Sequence, residues 1–143
     1  MDVADSGCVF CEIVRDTRKC ALIAEDETAL AFMDIHPAND GHCLVIPKSH
    51  YPTIFDIPPH TFTSVSSLVA RVARAVQHAL QPPGLSLVQA NGPAANQTVP
   101  HLHIHVVPRR SDDGLLLNWS RTAEGDPAGI AEIAEQIRRH LRP

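Results

Sequence analysis

Between 59 and 81 the apolar residues Phe62, Val65, Val69, Val72, Val76 and Leu80 recur at three- and four-residue steps, while Arg71, Arg74 and Gln77 take other sides. That period predicts one long amphipathic helix, ended by Pro82, Pro83 and Gly84. A second helix is predicted over 128–141, with Ile130, Ile133, Ile137 and Leu141 on one stripe and basic residues in its final turn. A short first helix is expected over 8–15, where Val9, Phe10 and Ile13 can share a side. At that length it needs tertiary contacts to persist. Segments 21–25 and 28–34 flank acidic turn residues and predict a hairpin. The pattern of 42–48 predicts a third strand, 85–91 a fourth and 101–108 a fifth, with 35–41 a polar loop. The chain therefore reads as an α+β meander. No internal repeat or linker divides it, so all of 1–143 is read as a single domain.

Composition narrows the function. An apolar share of 44% and a charged share of 20% are those of a globular domain. The net charge is −4, with no basic cluster beyond Arg138, Arg139 and Arg142, which argues against a nucleic-acid surface. No apolar run reaches membrane-spanning length, and the acidic start at 1–5 lacks the features of a secretory signal, so no membrane association and a cytoplasmic address are expected. Four cysteines in such a chain point to metal or redox chemistry more than to a disulfide framework.

Histidine is the anomaly, at nine residues with three of them in the stretch 101–105. In HLHIHVV a strand would place His101, His103 and His105 on one face and Leu102, Ile104 and Val106 on the other. Coincidence and a metal-binding imidazole row are the competing readings. A catalytic row is favoured, because a neutral imidazole attacks an electrophile near neutral pH without the activation that a hydroxyl needs. The preceding NGPAANQTVP supplies backbone donors, the amides of Asn91, Asn96 and Gln97 and the Thr98 hydroxyl, groups suited to phosphoryl oxygens.

HLHIHVV resembles the His-φ-His-φ-His-φ-φ signature of the histidine triad (HIT) superfamily. AFMDIHPANDGHCLVIPKSH and NQTVPHLHIHVVPR are similar to the family's other blocks, in order along the chain. The resemblance implies a HIT-like α+β fold, with a five-stranded antiparallel sheet, a long helix packed on it and a homodimer whose sheets join. It implies a hydrolase or transferase of purine nucleoside phosphoramidates or dinucleoside polyphosphates. His103 would be the nucleophile that forms a nucleotidyl-histidine, and His105 would bind phosphoryl oxygens and assist proton transfer. Gln97 and Thr98 would contact the phosphate and leaving group, and His42 would support the imidazole network. Asp34 would accept from the ribose hydroxyls, Ile35 would touch the base, and Asn91 would add a polar contact. Asn96 stands where the family usually has glycine, in the same phosphate loop. The chain continues past Trp119, where a shorter branch of the family ends.

Cys8 and Cys11 form a C-x-x-C pair able to deliver two thiolates to one metal. His50 and His101 match the remaining ligands of a zinc-containing subset of the family, which implies a structural Cys2His2 zinc site. A reduced pair of buried thiols and a redox couple are the alternatives. Cys20 and Cys43 have no such spacing, and His36, His60, His78 and His140 read as surface or cap residues. An alternative from another class is a nucleotide-binding zinc protein with a sensing or partner-binding role and negligible turnover.

Overall fold

The computed structural model describes residues 7–116 and 123–141. The acidic start at 1–5, Trp119 and Arg142 lie outside the described residues. In chain order the elements are α1 (Val9–Arg15), β1 (Leu22–Glu25), β2 (Ala29–Met33), β3 (Cys43–Pro47), α2 (Pro59–Leu80), β4 (Gly84–Gln89), β5 (Ile104–Arg109) and α3 (Pro127–His140). The five strands form one antiparallel sheet in the order β1-β2-β3-β5-β4, which leaves β1 and β4 as its edges. Among the described residues no helix is long and apolar enough to cross a membrane.

The central strands read ALAFM and CLVIP, runs with almost no polar position, and both are buried on both faces. Alternation sorts their side chains into two layers. Ala29, Ala31, Cys43, Val45, Ile104 and Val106 pack beneath α2, against Val65, Leu68, Val69, Val72 and Val76. Leu30, Phe32, Leu44 and Ile46 face the other way and are covered by α1 through Phe10, Cys11 and Ile13. Burial of the five α2 residues contributes on the order of 10 kcal/mol as an upper figure, at roughly 1.5–3 kcal/mol each.

Several details depart from the sequence pattern. Val9 is exposed while Phe10, Cys11 and Ile13 are buried, because α1 is too short to carry a wide apolar face. Leu80 completes the apolar period of α2 but is half exposed. It lies over Gly41, whose φ of +90° favours glycine and where an added Cβ would also push Leu80 Cδ1 aside. The turn that ends α2 is Gln81, at φ 49°, whose N–H donates to Gln77 O; the prolines follow it, and Gly84 already belongs to β4. Ile130, Ile133, Ile137 and Leu141 do form one stripe, but all four are exposed, and among the described residues α3 has no buried member.

Candidate active site

The sheet pairing of β5 begins at Ile104, so His101 and His103 precede the ladder that the sequence pattern started at 101. The chain there is held from outside the sheet, with the Leu102 N–H donating to Tyr51 O at 2.7 Å. The alternation survives this. Leu102, Ile104 and Val106 enter the layer under α2, and His101 and His103 both meet the Phe10 ring, at centroid distances of 5.8 and 5.2 Å. The imidazole face is covered by α1, which leaves His101 at 0% and His103 at 7% exposure.

Fixed backbone partners assign the protons on these rings. His103 Nδ1 lies 2.8 Å from the His101 carbonyl, which can only accept; Nδ1 therefore carries the hydrogen and Nε2 holds the lone pair. His42 is set in the opposite sense. Its Nδ1 accepts from the Ala38 N–H at 3.0 Å, which leaves the hydrogen on Nε2. That Nε2 lies 2.9 Å from His105 Nδ1 and 3.4 Å from Asp34 Oδ2. His105 Nδ1 must then accept, so its Nε2 carries a hydrogen available for donation. Three rings thus present one lone pair, on His103, and one donor, on His105, with ring centroids 5.0 Å apart.

Burial favours the neutral form of His42, His103 and His105. It pushes His103 and His42 below the ordinary imidazole value, with Asp34 opposing in both cases. His105 falls to about 4, first through burial and then through repulsion from His103 and His42. Asp34, His42 and His105 also bring three ligand-type atoms within 4.8 Å of one another. The Ala38 N–H on His42 Nδ1 leaves Nε2 protonated and without a lone pair, so this trio fits a hydrogen-bond chain and not a metal.

The row opens into a cavity of about 390 Å³. Phe10, Ile13, Phe32 and Leu44 make its apolar part, and Asp34, Thr98, His103 and His105 line it as well. Ile35, 83% exposed, stands at the edge of the cavity together with His36. One Asp34 oxygen accepts from the His36 N–H at 2.8 Å, which fixes the carboxylate at the start of its loop. A hollow of about 650 Å³ runs along the exposed stripe of α3, but it is shallow and no imidazole lines it.

Not every predicted contact reaches this cavity. Gln97 Oε1 accepts from the Gly92 N–H at 2.7 Å, and its Nε2 donates to Pro52 O and Val99 O, so the whole amide braces the loop. Asn91 accepts from the Ile54 N–H and exchanges hydrogen bonds with Gln89. Neither side chain lines the cavity; both shape the loop that presents Thr98. Asn96, in the glycine-like position, adopts φ 65°, the left-handed turn that asparagine tolerates better than most residues. Pattern reading missed two contributors. In the sequence Phe10 reads only as part of a helix face, although an aromatic between the paired cysteines is a visible hint. Ala38 acts through its backbone N–H, for which a sequence gives no sign.

Cys8, Cys11, His50 and His101 place one donor atom each within 4.8 Å of one another. The S–N separations are 3.4 Å for Cys8 and His101, 3.5 Å for Cys11 and His101, and 3.2 Å for Cys11 and His50. Tetrahedral bonds of about 2.0–2.3 Å put neighbouring donors roughly 3.5 Å apart, so the cluster has the dimensions of a zinc site. His101 Nε2–H donates to Pro47 O at 2.8 Å, which turns the Nδ1 lone pair toward the two thiols. These four donors could hold a metal ion.

An antiparallel sheet carrying alternate histidines into a half-apolar cavity, with a lone pair and a donor side by side, defines a class of histidine-triad domains. Residues 15–112 match the HIT domain, and the chain belongs to the HIT family. It is 32% identical over 137 residues to the adenosine 5'-monophosphoramidase of Schizosaccharomyces pombe, covering 95% of this chain and 99% of that one. A crystal structure of a HIT family member from Bacillus subtilis superposes with a TM-score of 0.90 at 33% identity, over 96% of this chain and 99% of that chain. A zinc-bound histidine triad protein from Mycobacterium smegmatis aligns with a TM-score of 0.70 at 38% identity, over 91% and 97% of the two chains.

Proposed function

We propose that the protein is a nucleotide hydrolase or transferase that cleaves at the α-phosphate of purine nucleoside phosphoramidates or dinucleoside polyphosphates. The observation that carries this reading is the opposed pair of ring atoms, a lone pair on His103 Nε2 beside an N–H on His105 Nε2. The adenosine 5'-monophosphoramidase name of the fission-yeast relative supports the phosphoramidate class.

In this reading the base lies among Phe10, Ile13, Phe32 and Leu44 with Ile35 against its exposed side, and Asp34 accepts from the ribose hydroxyls. His103 Nε2 attacks the α-phosphorus, forming a P–N bond while the bond to the leaving group breaks. His105 Nε2–H donates a hydrogen bond to the phosphoryl group, and the departing nitrogen or oxygen takes its proton from water at the cavity mouth, because a neutral ring that gave up its N–H would be left as an imidazolate. Water then attacks the nucleotidyl-histidine and gives its proton to the solvent, and the nucleoside monophosphate leaves with His103 restored. The Thr98 hydroxyl donates to phosphate oxygens; Gln97, Asn91 and Asn96 hold the loop that carries it. His42 keeps His105 in the donating tautomer.

Zinc would be held by Cys8, Cys11, His50 and His101, where a closed four-ligand site supplies structural cross-linking. His101 would then fix the chain that carries His103, and the two thiols would anchor α1 over the cavity. A homodimer is proposed through the edge of β4, where half-exposed Leu87 adjoins an apolar groove lined by Phe62, Val69 and Ala70. Cysteines kept as thiols suit the reducing cytoplasm.

The deciding experiment follows nucleoside monophosphate release from an adenosine phosphoramidate. Turnover by wild type and its loss in His103→Ala support the enzyme. Tight monophosphate binding with wild-type turnover no faster than that of His103→Ala would instead establish the nucleotide-binding zinc protein.

A further inference from the structure

Asp113, in the turn after β5, has a side chain that is 3% exposed and is surrounded by donors. Arg109 Nε donates to it at 2.7 Å and Nη2 at 3.2 Å, and the N–H groups of Arg110 and Leu115 each donate at 3.0 Å. The Arg109 guanidinium holds its carboxyl well below the usual carboxylate range. Arg109 also donates to Ser86 Oγ on β4, so the pair is fixed to two strands. Asp113 accepts one more hydrogen bond, from Asn39 Nδ2 at 3.1 Å, and the same nitrogen donates to Pro108 O at 2.8 Å. Asn39 belongs to the 35–41 loop, 69 and 74 positions away from its two acceptors. Its own carbonyl accepts from the His42 N–H at 3.1 Å, and the residue before it is Ala38, whose N–H sets the tautomer of His42.

We propose that Asn39, gripped by Asp113 and Pro108, is a positioning residue that holds the Ala38 N–H on His42 Nδ1 and so keeps the His42 proton on Nε2, facing His105. Without the grip the 35–41 loop loses its side-chain tie to β5, and the Ala38 amide can swing from the ring. His42 can then move its hydrogen to Nδ1. His105 Nδ1 in turn loses its donor, and the hydrogen on His105 Nε2 is no longer imposed. The charge on Asp113 matters because a carboxylate neutralised by Arg109 accepts from Asn39 with no donor of its own to compete. This inference rests on the role given to His105 under the proposed function.

The test uses full-length protein labelled with 15N-histidine, as wild type, Asn39→Ala and Asn39→Ser, with His42 assigned through a His42→Gln variant. The ring nitrogens report the tautomer directly, and turnover of an adenosine phosphoramidate is measured on the same samples. Wild type should show His42 protonated at Nε2 alone. Asn39→Ala should lose that single tautomer and about tenfold in kcat, the size expected when a partner orienting a functional histidine is removed. Asn39→Ser, which retains a donor, should recover part of both; it also serves if the alanine variant fails to fold. A His42 tautomer unchanged in the variants, or changed with kcat within twofold of wild type, overturns the inference. A wild type without turnover strikes the enzyme reading alone, since the tautomer comparison still decides whether Asn39 sets the His42 proton.

Discussion

Phe10→Ala is the substitution that most directly loads the joint between α1 and the imidazole layer. The ring is 7% exposed and stands edge-on to Phe32 at 5.6 Å, His101 at 5.8 Å and His103 at 5.2 Å. Truncating a buried phenylalanine costs about 3–5 kcal/mol, including the cavity it leaves. α1 has only seven residues and can settle partly into the space, which argues for the lower end, about 3 kcal/mol. At about 2–4 °C per kcal/mol in a chain of this size, Tm should fall by roughly 6–12 °C. The same ring lines the cavity and borders His103, so monophosphate affinity should weaken about tenfold or more even well below the new Tm. Thermal unfolding followed by circular dichroism, with monophosphate titration by calorimetry at 15 °C, measures both. A loss under about 1 kcal/mol with unchanged affinity would refute the claim that α1 closes this side of the site.

Three other outcomes follow from the geometry. His105 is held near 4 in the folded protein against an ordinary value near 6.5, so between those values the unfolded chain binds the extra proton and stability falls as pH falls. Urea titrations from pH 7.5 to 4.5 should show His105→Gln with a shallower decline than wild type, the difference staying below about 1.4 kcal/mol per pH unit because the ring is partly exposed; parallel curves would contradict the burial argument. Cys11→Ala should abolish stoichiometric zinc in protein purified without chelator and lower Tm, and an equivalent of zinc retained by the variant would remove Cys11 from the ligand set. Leu87→Arg, at the β4 edge, should convert a dimer to a monomer in analytical ultracentrifugation; a wild type that is monomeric at all concentrations defeats the proposed interface.

The sheet was legible because the runs ALAFM and CLVIP and the alternation of HLHIHVV each carry their structure locally. Strict alternation also put the three histidines on the correct side of the sheet, even though pairing starts only at Ile104. What the sequence hid is what depends on distant chain. Nothing in Val9 and Phe10 shows which of them faces the sheet until α1 is docked. Leu80 keeps the helical period yet stays half exposed over the Gly41 loop. The stripe of α3 is as regular as that of α2, but among the described residues no surface covers it. In the site, residue type pointed to His42, His103 and His105, which the fold brings together, whereas the protons on those rings are decided by the Ala38 N–H and the His101 carbonyl, backbone groups that a sequence does not mark. Gln97 and Asn91 show the converse. Their amides suit a phosphate, and the fold uses them to brace the loop instead.

The central claim is covalent chemistry at one ring nitrogen. Protein mixed with an excess of an adenosine phosphoramidate should be quenched within milliseconds in alkaline denaturant, where a phosphorus–nitrogen bond to histidine survives, and digested for mass spectrometry. The account predicts an adenylyl group on His103, present in wild type and absent from His103→Ala. Monophosphate release without any adduct under conditions that preserve such bonds, or an adduct on another residue, would contradict it.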